Sequence, residues 1–451
     1  MARSTEPRHP ASVTDAVSRL GRMGRALRNR NYRLFFTGQG ISLVGNWITA
    51  VASSWLVYGL TDSAALLGVS SFASQAPVFF LAPFAGVWVD RVNRHRVILA
   101  TQTLAMLQSG LLAFFALRGS LDVAHIIALN VFQGLITAFD LPARQAFLSE
   151  LIADRADLPN AVALNSSMFN AARLVGPSIA ALLIGLVGEA WCFVIDTLSY
   201  VAVLASLLAM RVVARPRPTR RGAVRSELRE GFGYVLGFAP LRAVLGLLTV
   251  ISLVGAPYTV LMPVVAREVL GGDARTLGLL TGCAGLGALS GALYLASRPS
   301  VLGLSRMIPR AGLTLGLSLI ALSQSRWLPL SMLLMVSAGG GMMVHMASSN
   351  TIVQTIVDED KRGRVMSFYS MAVFGVAPFG ALLAGALADR VGAPATLLLG
   401  GLTSCFVALG FRRRLPTLHP LIRPIYERLG ILPEVASGVS EATRSSAPPP
   451  A

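Results

Sequence analysis

Several ionisable side chains interrupt long apolar stretches of this chain. Arg173 and Asp196 lie inside two neighbouring stretches, Asp140 and Arg144 are four residues apart, and His345 lies deep in a later stretch. Charge in an apolar environment is costly, so such residues are candidates for function. A carboxylate or an imidazole can bind and release a proton, and an arginine can pair with a carboxylate. We expect Arg173 to pair with Asp196 and Asp140 to pair with Arg144, either as coupling residues or as structural ion pairs.

Neutral polar side chains in the same stretches could orient a ligand within an apolar cavity. Asn46, Asn130, Gln133 and His345 are the candidates for this cavity. The alternative is that they only hold helices together, and for His345 that it bonds to the backbone inside the core.

The residue patterns of the common enzymes and metal sites are absent from the sequence. It has no HExxH, GxSxG or GxxxxGK[ST] motif, and its cysteines (Cys192, Cys283 and Cys405) are far apart inside apolar stretches. The sequence therefore predicts no enzyme activity, no metal and no cofactor.

The apolar stretches themselves define the fold class. Of 451 residues, 54% are hydrophobic and 14% are charged, whereas soluble domains have about 45–50% and about 25%. A helix of about 20 apolar residues crosses a bilayer, and the backbone inside lipid must be helical or part of a barrel. Prolines within the stretches, among them Pro177 and Pro378, are expected to kink helices. We predict an all-α integral membrane protein with twelve transmembrane helices, at about 34–59, 66–89, 97–117, 123–141, 163–187, 190–210, 241–266, 276–297, 308–323, 327–349, 365–388 and 395–411.

The distribution of positive charge predicts the orientation. Of the 39 Lys and Arg residues, 32 lie in one alternating set of loops and termini and 5 in the other. The positive-inside rule places the richer set, and so both termini, in the cytoplasm. The net charge of +17 is thus explained without nucleic acid as a partner. The expected parts are a cytoplasmic N-terminal segment, an N-terminal bundle, a cytoplasmic linker, a C-terminal bundle and a partly disordered cytoplasmic tail, at 1–33, 34–210, 211–240, 241–411 and 412–451.

The two halves show a weak internal repeat. Residues 154–164 align without gaps with residues 358–368, and Gly176 and Gly188 align with Gly380 and Gly392. Repeated halves with interrupted helices at corresponding positions are typical of secondary transporters, in which two bundles rock around a central site. We therefore predict two pseudo-symmetric six-helix bundles that work by alternating access.

The loop after the second apolar stretch reads GVWVDRVNRHR at 86–96. A carboxylate at 90 can bind a helix N-terminus or an arginine of the opposing bundle, and release of that contact would open the inner face. We expect Gly86, Asp90, Arg91, Arg94 and Arg96 to form a conformational latch.

This loop resembles the signature Gly-x-x-x-Asp-Arg-x-Gly-Arg-basic of the major facilitator superfamily, with Asn93 replacing the second glycine. FDLPARQAF at 139–147, LPNAVALN at 158–165, ARLVGP at 172–177 and RGRV at 362–365 look like its enterobactin-exporter-like and macrolide-efflux-like branch, of the transmembrane secretion effector type. The resemblance covers about residues 30–412.

The resemblance implies a twelve-helix exporter in the bacterial inner (plasma) membrane. Its partners would be the lipid bilayer, protons and an amphiphilic small molecule such as a siderophore, drug or antibiotic. Asn130 stands where many proton-coupled drug exporters have an arginine, and Arg173 is a candidate to replace it. The alternatives are an importer or uniporter of a small metabolite and a non-transporting sensor or scaffold. The oligomeric state is left open, and a monomer is compatible with the sequence.

Overall fold

The computed structural model describes residues 25–89, 91–152, 157–212, 232–298, 300–359 and 361–431. Twelve long helical segments make up most of this chain. Those of the first half are α1 (Arg30–Thr61), α2 (Ala64–Val89), α3 (Arg94–Leu117), α4 (Val123–Leu151), α5 (Leu158–Val187) and α6 (Glu189–Leu208). Those of the second half are α7 (Ala239–Val269), α8 (Ala274–Ala296), α9 (Leu304–Gln324), α10 (Leu328–Ile356), α11 (Arg362–Val391) and α12 (Ala393–Arg428).

The prediction of an all-helical membrane protein is confirmed. Eleven of these segments are long and apolar enough to cross a bilayer. The ninth falls short because its first two turns carry Arg306 and Arg310. We call the face where α1 begins and α12 ends the terminal face, and the face where α1 ends and α2 begins the distal face.

Local sequence explains where several helices begin. The Asn29 side chain accepts hydrogen bonds from the backbone N–H of Asn31 and Tyr32, and Asp273 does the same at the start of α8. Gly188 and Gly392, which the repeat aligns, both have positive φ, at 89° and 85°, and each joins two helices at the distal face. Only glycine adopts this backbone conformation readily, so the halves share this connection.

Two helices are interrupted. In α7 the α-helix Ala239–Val250 gives way to a π-helical turn and then to the 3-10 turn Ala256–Leu261. In α11 a π-helical turn precedes Pro378, whereas α5 continues through Pro177 without interruption. Interrupted helices free backbone groups near the middle of the membrane, where transporters place their sites.

The helices form two bundles, α1–α6 and α7–α12, which meet along α2 with α11 and along α5 with α8. Glycines allow these crossings. A Cβ added at Gly68 would lie 2.6 Å from the Ala381 carbonyl oxygen, and one at Gly278 would lie 2.1 Å from the Ala181 Cβ. At these two crossings the helices of the two bundles therefore approach each other closely.

The segment predicted to be the cytoplasmic tail, 412–451, begins as a continuation of α12. α12 does not end near residue 411 but runs to Arg428, and Leu415, Leu418 and Ile422 in this extension are buried. His419 Nε2 lies 3.0 Å from the Ser305 hydroxyl of α9. Most of the N-terminal segment, most of the linker and residues 432–451 lie outside the described residues.

Candidate functional site

The two bundles are joined by polar contacts at the distal face. Asp389 of α11 accepts hydrogen bonds from the backbone N–H of Ala64, at 2.6 Å, and from the Ser63 hydroxyl, at 2.8 Å. These groups form the N-terminus of α2, where unpaired N–H groups and the helix dipole favour an anion. A carboxylate of the C-terminal bundle thus caps a helix of the N-terminal bundle.

A second group of contacts lies beside this cap. Asp62 pairs with Arg267, with 3.0 Å between Oδ1 and Nη1, and the Tyr58 hydroxyl donates to the Glu268 carboxylate. The Arg267 guanidinium also lies over the Tyr58 ring, 5.8 Å from its centre. We call this group, together with the Asp389 cap, the distal gate.

The distal gate lies where the ends of α1, α7 and α11 meet. Between residues that the structure describes, every hydrogen bond and ion pair joining the bundles belongs to it. Towards the membrane centre the contact becomes aromatic, where the Phe379 ring lies 5.6 Å from Phe72 and 5.7 Å from Phe79. The two bundles are therefore in contact at the distal face and along the interface towards the membrane centre.

The predicted latch lies at the terminal face, and its described part binds its own bundle. Arg94 Nη1 lies 2.7 Å from the Glu150 carboxylate of α4. Arg91 and Arg96 are exposed, and Gly86 lies in α2 with open space beside its Cα. Asp90 lies outside the described residues. A role for these residues as a latch therefore stays a prediction.

The predicted pair of Asp140 and Arg144 forms, with 2.6 Å between Oδ2 and Nη2. Asp140 is 3% exposed and also accepts hydrogen bonds from Thr101, at 2.8 Å, and Gln102, at 3.0 Å. Arg144 donates to Gln39 of α1. The pair therefore connects three helices of the N-terminal bundle, and a role in coupling stays a prediction.

The predicted pair of Arg173 and Asp196 does not form. Asp196 is 2% exposed and accepts hydrogen bonds from the hydroxyls of Thr49, at 2.9 Å, Ser109, at 3.0 Å, and Ser199, at 3.4 Å. Its partners come from α1, α3 and its own helix. The expectation was wrong because hydroxyls of the same bundle surround the Asp196 carboxylate, while the Arg173 guanidinium lies over the Trp47 ring.

Arg173 lies about midway along α5, with its guanidinium over the Trp47 ring, 5.9 Å from the ring centre. Tyr258, on the interrupted part of α7, lies within electrostatic range of Arg173. Arg173 and Trp47 belong to the N-terminal bundle and Tyr258 belongs to the C-terminal bundle.

The four predicted cavity residues are buried to different degrees, and three of them have partners. Asn46 accepts a hydrogen bond from Tyr200, Asn130 donates to Ser70, and His345 Nδ1 lies 3.2 Å from the Ile308 carbonyl oxygen. The Gln133 side-chain carbonyl and His345 Nε2 have no partner among the described residues. Contacts with a ligand stay a prediction for all four.

Sequence reasoning missed the residues of the distal gate. They come from the connection between α1 and α2 and from the last turns of α1, α7 and α11, and no motif marks them. The available signal was that Asp62, Arg267, Glu268 and Asp389 are charged residues at the ends of apolar stretches.

Comparison with known proteins identifies a family, two relatives and a solved structure that are similar to this chain. The family described as transmembrane secretion effector matches residues 25–422. The staphyloferrin A transporter of Staphylococcus aureus is 24% identical over 383 residues, covering 84% of this chain and 95% of the relative. The multidrug efflux pump Tap of Mycolicibacterium fortuitum is 27% identical over 364 residues, covering 78% and 88%. The crystal structure of a bacterial homologue of the human lysosomal transporter Spinster superposes with a TM-score of 0.62 at 14% identity, covering 90% of this chain and 98% of that one.

Proposed function

The chain belongs to the transmembrane secretion effector family of the major facilitator superfamily, and from this premise we propose that it exports an amphiphilic small molecule in exchange for protons. The terminal face carries most of the positive charge, which supports a cytoplasmic position for it and for both termini. The membrane would be the bacterial plasma membrane. Among its relatives are an efflux pump and a transporter named for staphyloferrin A, which supports export of this kind of cargo.

The distal gate supports alternating access. With the terminal face in the cytoplasm, these contacts would close the interface to the outside, as an exporter needs when it takes up cargo from inside. Because the contacts of the gate join side chains at helix ends, they can break while the helices stay intact. The glycine crossings of α2 with α11 and α5 with α8 then serve as the surfaces on which the bundles rock.

The surroundings of Asp196 support the proposal that this residue binds and releases the exchanged proton. An ionised carboxylate inside a membrane bundle is costly, and no cation lies within ion-pair distance of Asp196 among the described residues. A proton on the carboxylate removes that cost.

The hydroxyls around Asp196 suit both protonation states. A hydroxyl has one proton to donate, and two of the three hydroxyls have a second acceptor. Ser199 Oγ lies 2.7 Å from the Asp196 carbonyl oxygen, and Ser109 Oγ lies 3.2 Å from the Phe193 carbonyl oxygen. When the carboxyl is protonated, its single proton can be donated to one of these serines, which then donates its own proton to the carbonyl beside it. The other hydroxyls keep their acceptors, so protonation leaves no hydroxyl without an acceptor.

The test is accumulation of amphiphiles by inside-out membrane vesicles containing the protein. The probes are a radiolabelled macrolide, ethidium and the fluorescent carboxylate pyrenebutyrate. We expect at least one probe to accumulate when the vesicles are energised, and a protonophore to abolish the accumulation. Asp196→Asn, which resembles the protonated acid, should lose the proton-driven accumulation and keep downhill exchange of the same probe.

Asp122→Asn is the matched control, because Asp122 is an exposed acid of the same bundle. This variant should leave both proton-driven accumulation and downhill exchange unchanged. Accumulation that ignores the protonophore, or that survives Asp196→Asn in full, would refute proton exchange through this residue. Uptake by right-side-out vesicles without a proton gradient would instead support an importer or uniporter.

A further inference from the structure

Arg173 is a cation inside the membrane with no acid beside it. It is only partly exposed, and no described carboxylate lies within ion-pair distance of its guanidinium. Its guanidinium lies over the Trp47 ring, which offers a weaker attraction than a carboxylate would. Intramembrane charges are normally paired with an opposite charge. The Arg173 guanidinium departs from this rule among the described residues.

Tyr258 presents a second unsatisfied group from the opposite bundle. Its side chain is 3% exposed, and its hydroxyl has no hydrogen-bond partner in the described chain. A buried hydroxyl left unpaired is costly. Tyr258 lies on the 3-10 turn that interrupts α7, and interrupted helices are where transporters bind their cargo.

Glycines let Trp47 and the Arg173 backbone pack closely against neighbouring helices. A Cβ at Gly176 would lie 2.4 Å from the Trp47 Cβ, and one at Gly285 of α8 would lie 2.9 Å from the Arg173 carbonyl oxygen. The backbone of Arg173 is thus fixed between two neighbouring helices while its guanidinium remains at the interface. The Arg173 guanidinium of one bundle and the Tyr258 hydroxyl of the other can therefore both donate hydrogen bonds to a bound ligand.

We propose that Arg173 and Tyr258, with Trp47 as an aromatic support, bind an anionic group of the cargo, most simply a carboxylate. This inference rests on the proposed export function and specifies its cargo as an amphiphile that carries an acid. The carboxylate would accept hydrogen bonds from both bundles at once, and its apolar body would lie along the aromatic part of the interface. Binding would neutralise Arg173 and satisfy the Tyr258 hydroxyl.

The experiment compares three probes with the same apolar body and different head groups: pyrenebutyrate, pyrenebutanol and pyrenebutyl trimethylammonium. Binding to the full-length protein in phosphatidylcholine nanodiscs is measured by energy transfer from tryptophan to pyrene. We expect the carboxylate to bind at least about tenfold more tightly than either analogue. Arg173→Gln should weaken carboxylate binding by about 10- to 100-fold, the effect of losing a charged hydrogen bond, and leave pyrenebutanol unchanged.

Arg118→Gln is the matched control, because Arg118 also lies over an aromatic ring, 4.3 Å from the centre of Phe114, but away from the interface. Arg173→Lys should keep part of the preference because it keeps the charge. Equal binding of the three probes by the wild type would overturn the proposal. So would a carboxylate preference that Arg173→Gln does not reduce.

Tyr258→Phe separates a ligand role from a structural one. Since the hydroxyl is unpaired without ligand, its removal should raise the melting temperature of the empty protein and weaken carboxylate binding by about three- to tenfold. A structural hydroxyl would change the melting temperature in the opposite direction. Asp196→Asn should leave the carboxylate preference intact while abolishing proton-driven accumulation, so failure of the anion site and failure of proton exchange give different results.

Discussion

The cap formed by Asp389 gives the most direct test of the distal gate. Asp389→Ala removes the carboxylate that accepts from the Ala64 N–H and the Ser63 hydroxyl across the bundle interface. Loss of a helix cap costs about 0.5–2 kcal/mol, and loss of an anion at a helix N-terminus about 0.3–1 kcal/mol. Because Asp389 is exposed and the Ser63 hydroxyl still accepts from Leu66, we expect a loss of about 1 kcal/mol.

This loss applies only to the state with the gate closed, because the cap joins the two bundles. The ratio of open to closed molecules should therefore rise by about fivefold for about 1 kcal/mol. The measurement is the distance between spin labels on the exposed distal loops, at Ser120 in one bundle and Arg326 in the other, with the three native cysteines replaced. Double electron–electron resonance should detect a larger population at the longer distance.

A matched variant distinguishes gating from general destabilisation. Asp122 caps α4 through the His125 N–H, at 2.8 Å, entirely inside the N-terminal bundle. Asp122→Ala should weaken that helix start and leave the distance distribution unchanged. An unchanged distribution for Asp389→Ala, or an equal shift for both variants, would refute the reasoning that the Asp389 cap holds the gate.

Three further predictions concern a buried ion pair, a helix crossing and the pH dependence of stability. Arg144→Gln leaves Asp140 buried without its cation and should destabilise the protein by about 3–5 kcal/mol, and adding Asp140→Asn should recover part of this in thermal unfolding. Gly285→Val places side-chain atoms against the α5 backbone, so it should reduce transport and shift the spin-label distances, whereas normal values of both would contradict tight packing at that crossing. The pKa of Asp122 is lowered chiefly by the hydrogen bond from the His125 N–H. The ionised Asp122 carboxylate therefore stabilises the folded protein above the ordinary aspartate pKa of about 4. This stabilisation is lost as the pH falls through the lowered pKa of the folded state. The melting temperature should therefore depend less on pH in this acid range for Asp122→Asn than for the wild type.

Contacts within one helix could be predicted from spacing, whereas contacts between helices could not. The pair Asp140–Arg144 follows from an interval of four residues, which places two side chains on one side of a helix. The pair Arg173–Asp196 was expected because two helices are neighbours in sequence, but neighbouring helices can rotate about their axes. Packing of Gly45 against Asp196, where a Cβ would lie 2.5 Å from Oδ1, turns Asp196 towards α1 instead.

The sequence by itself determined the membrane class, the approximate positions of the helices and the repeat. These follow from apolar length and from residues such as Gly188 and Gly392, whose effect is local. Only the tertiary structure decided that Asp389 caps a helix 325 residues away, that Arg267 and Glu268 contact the other bundle at the same face, and that hydroxyls rather than Arg173 bind Asp196. The physical reason is that helix rotation and bundle contact depend on packing of many side chains at once, and no single segment of the chain contains that information.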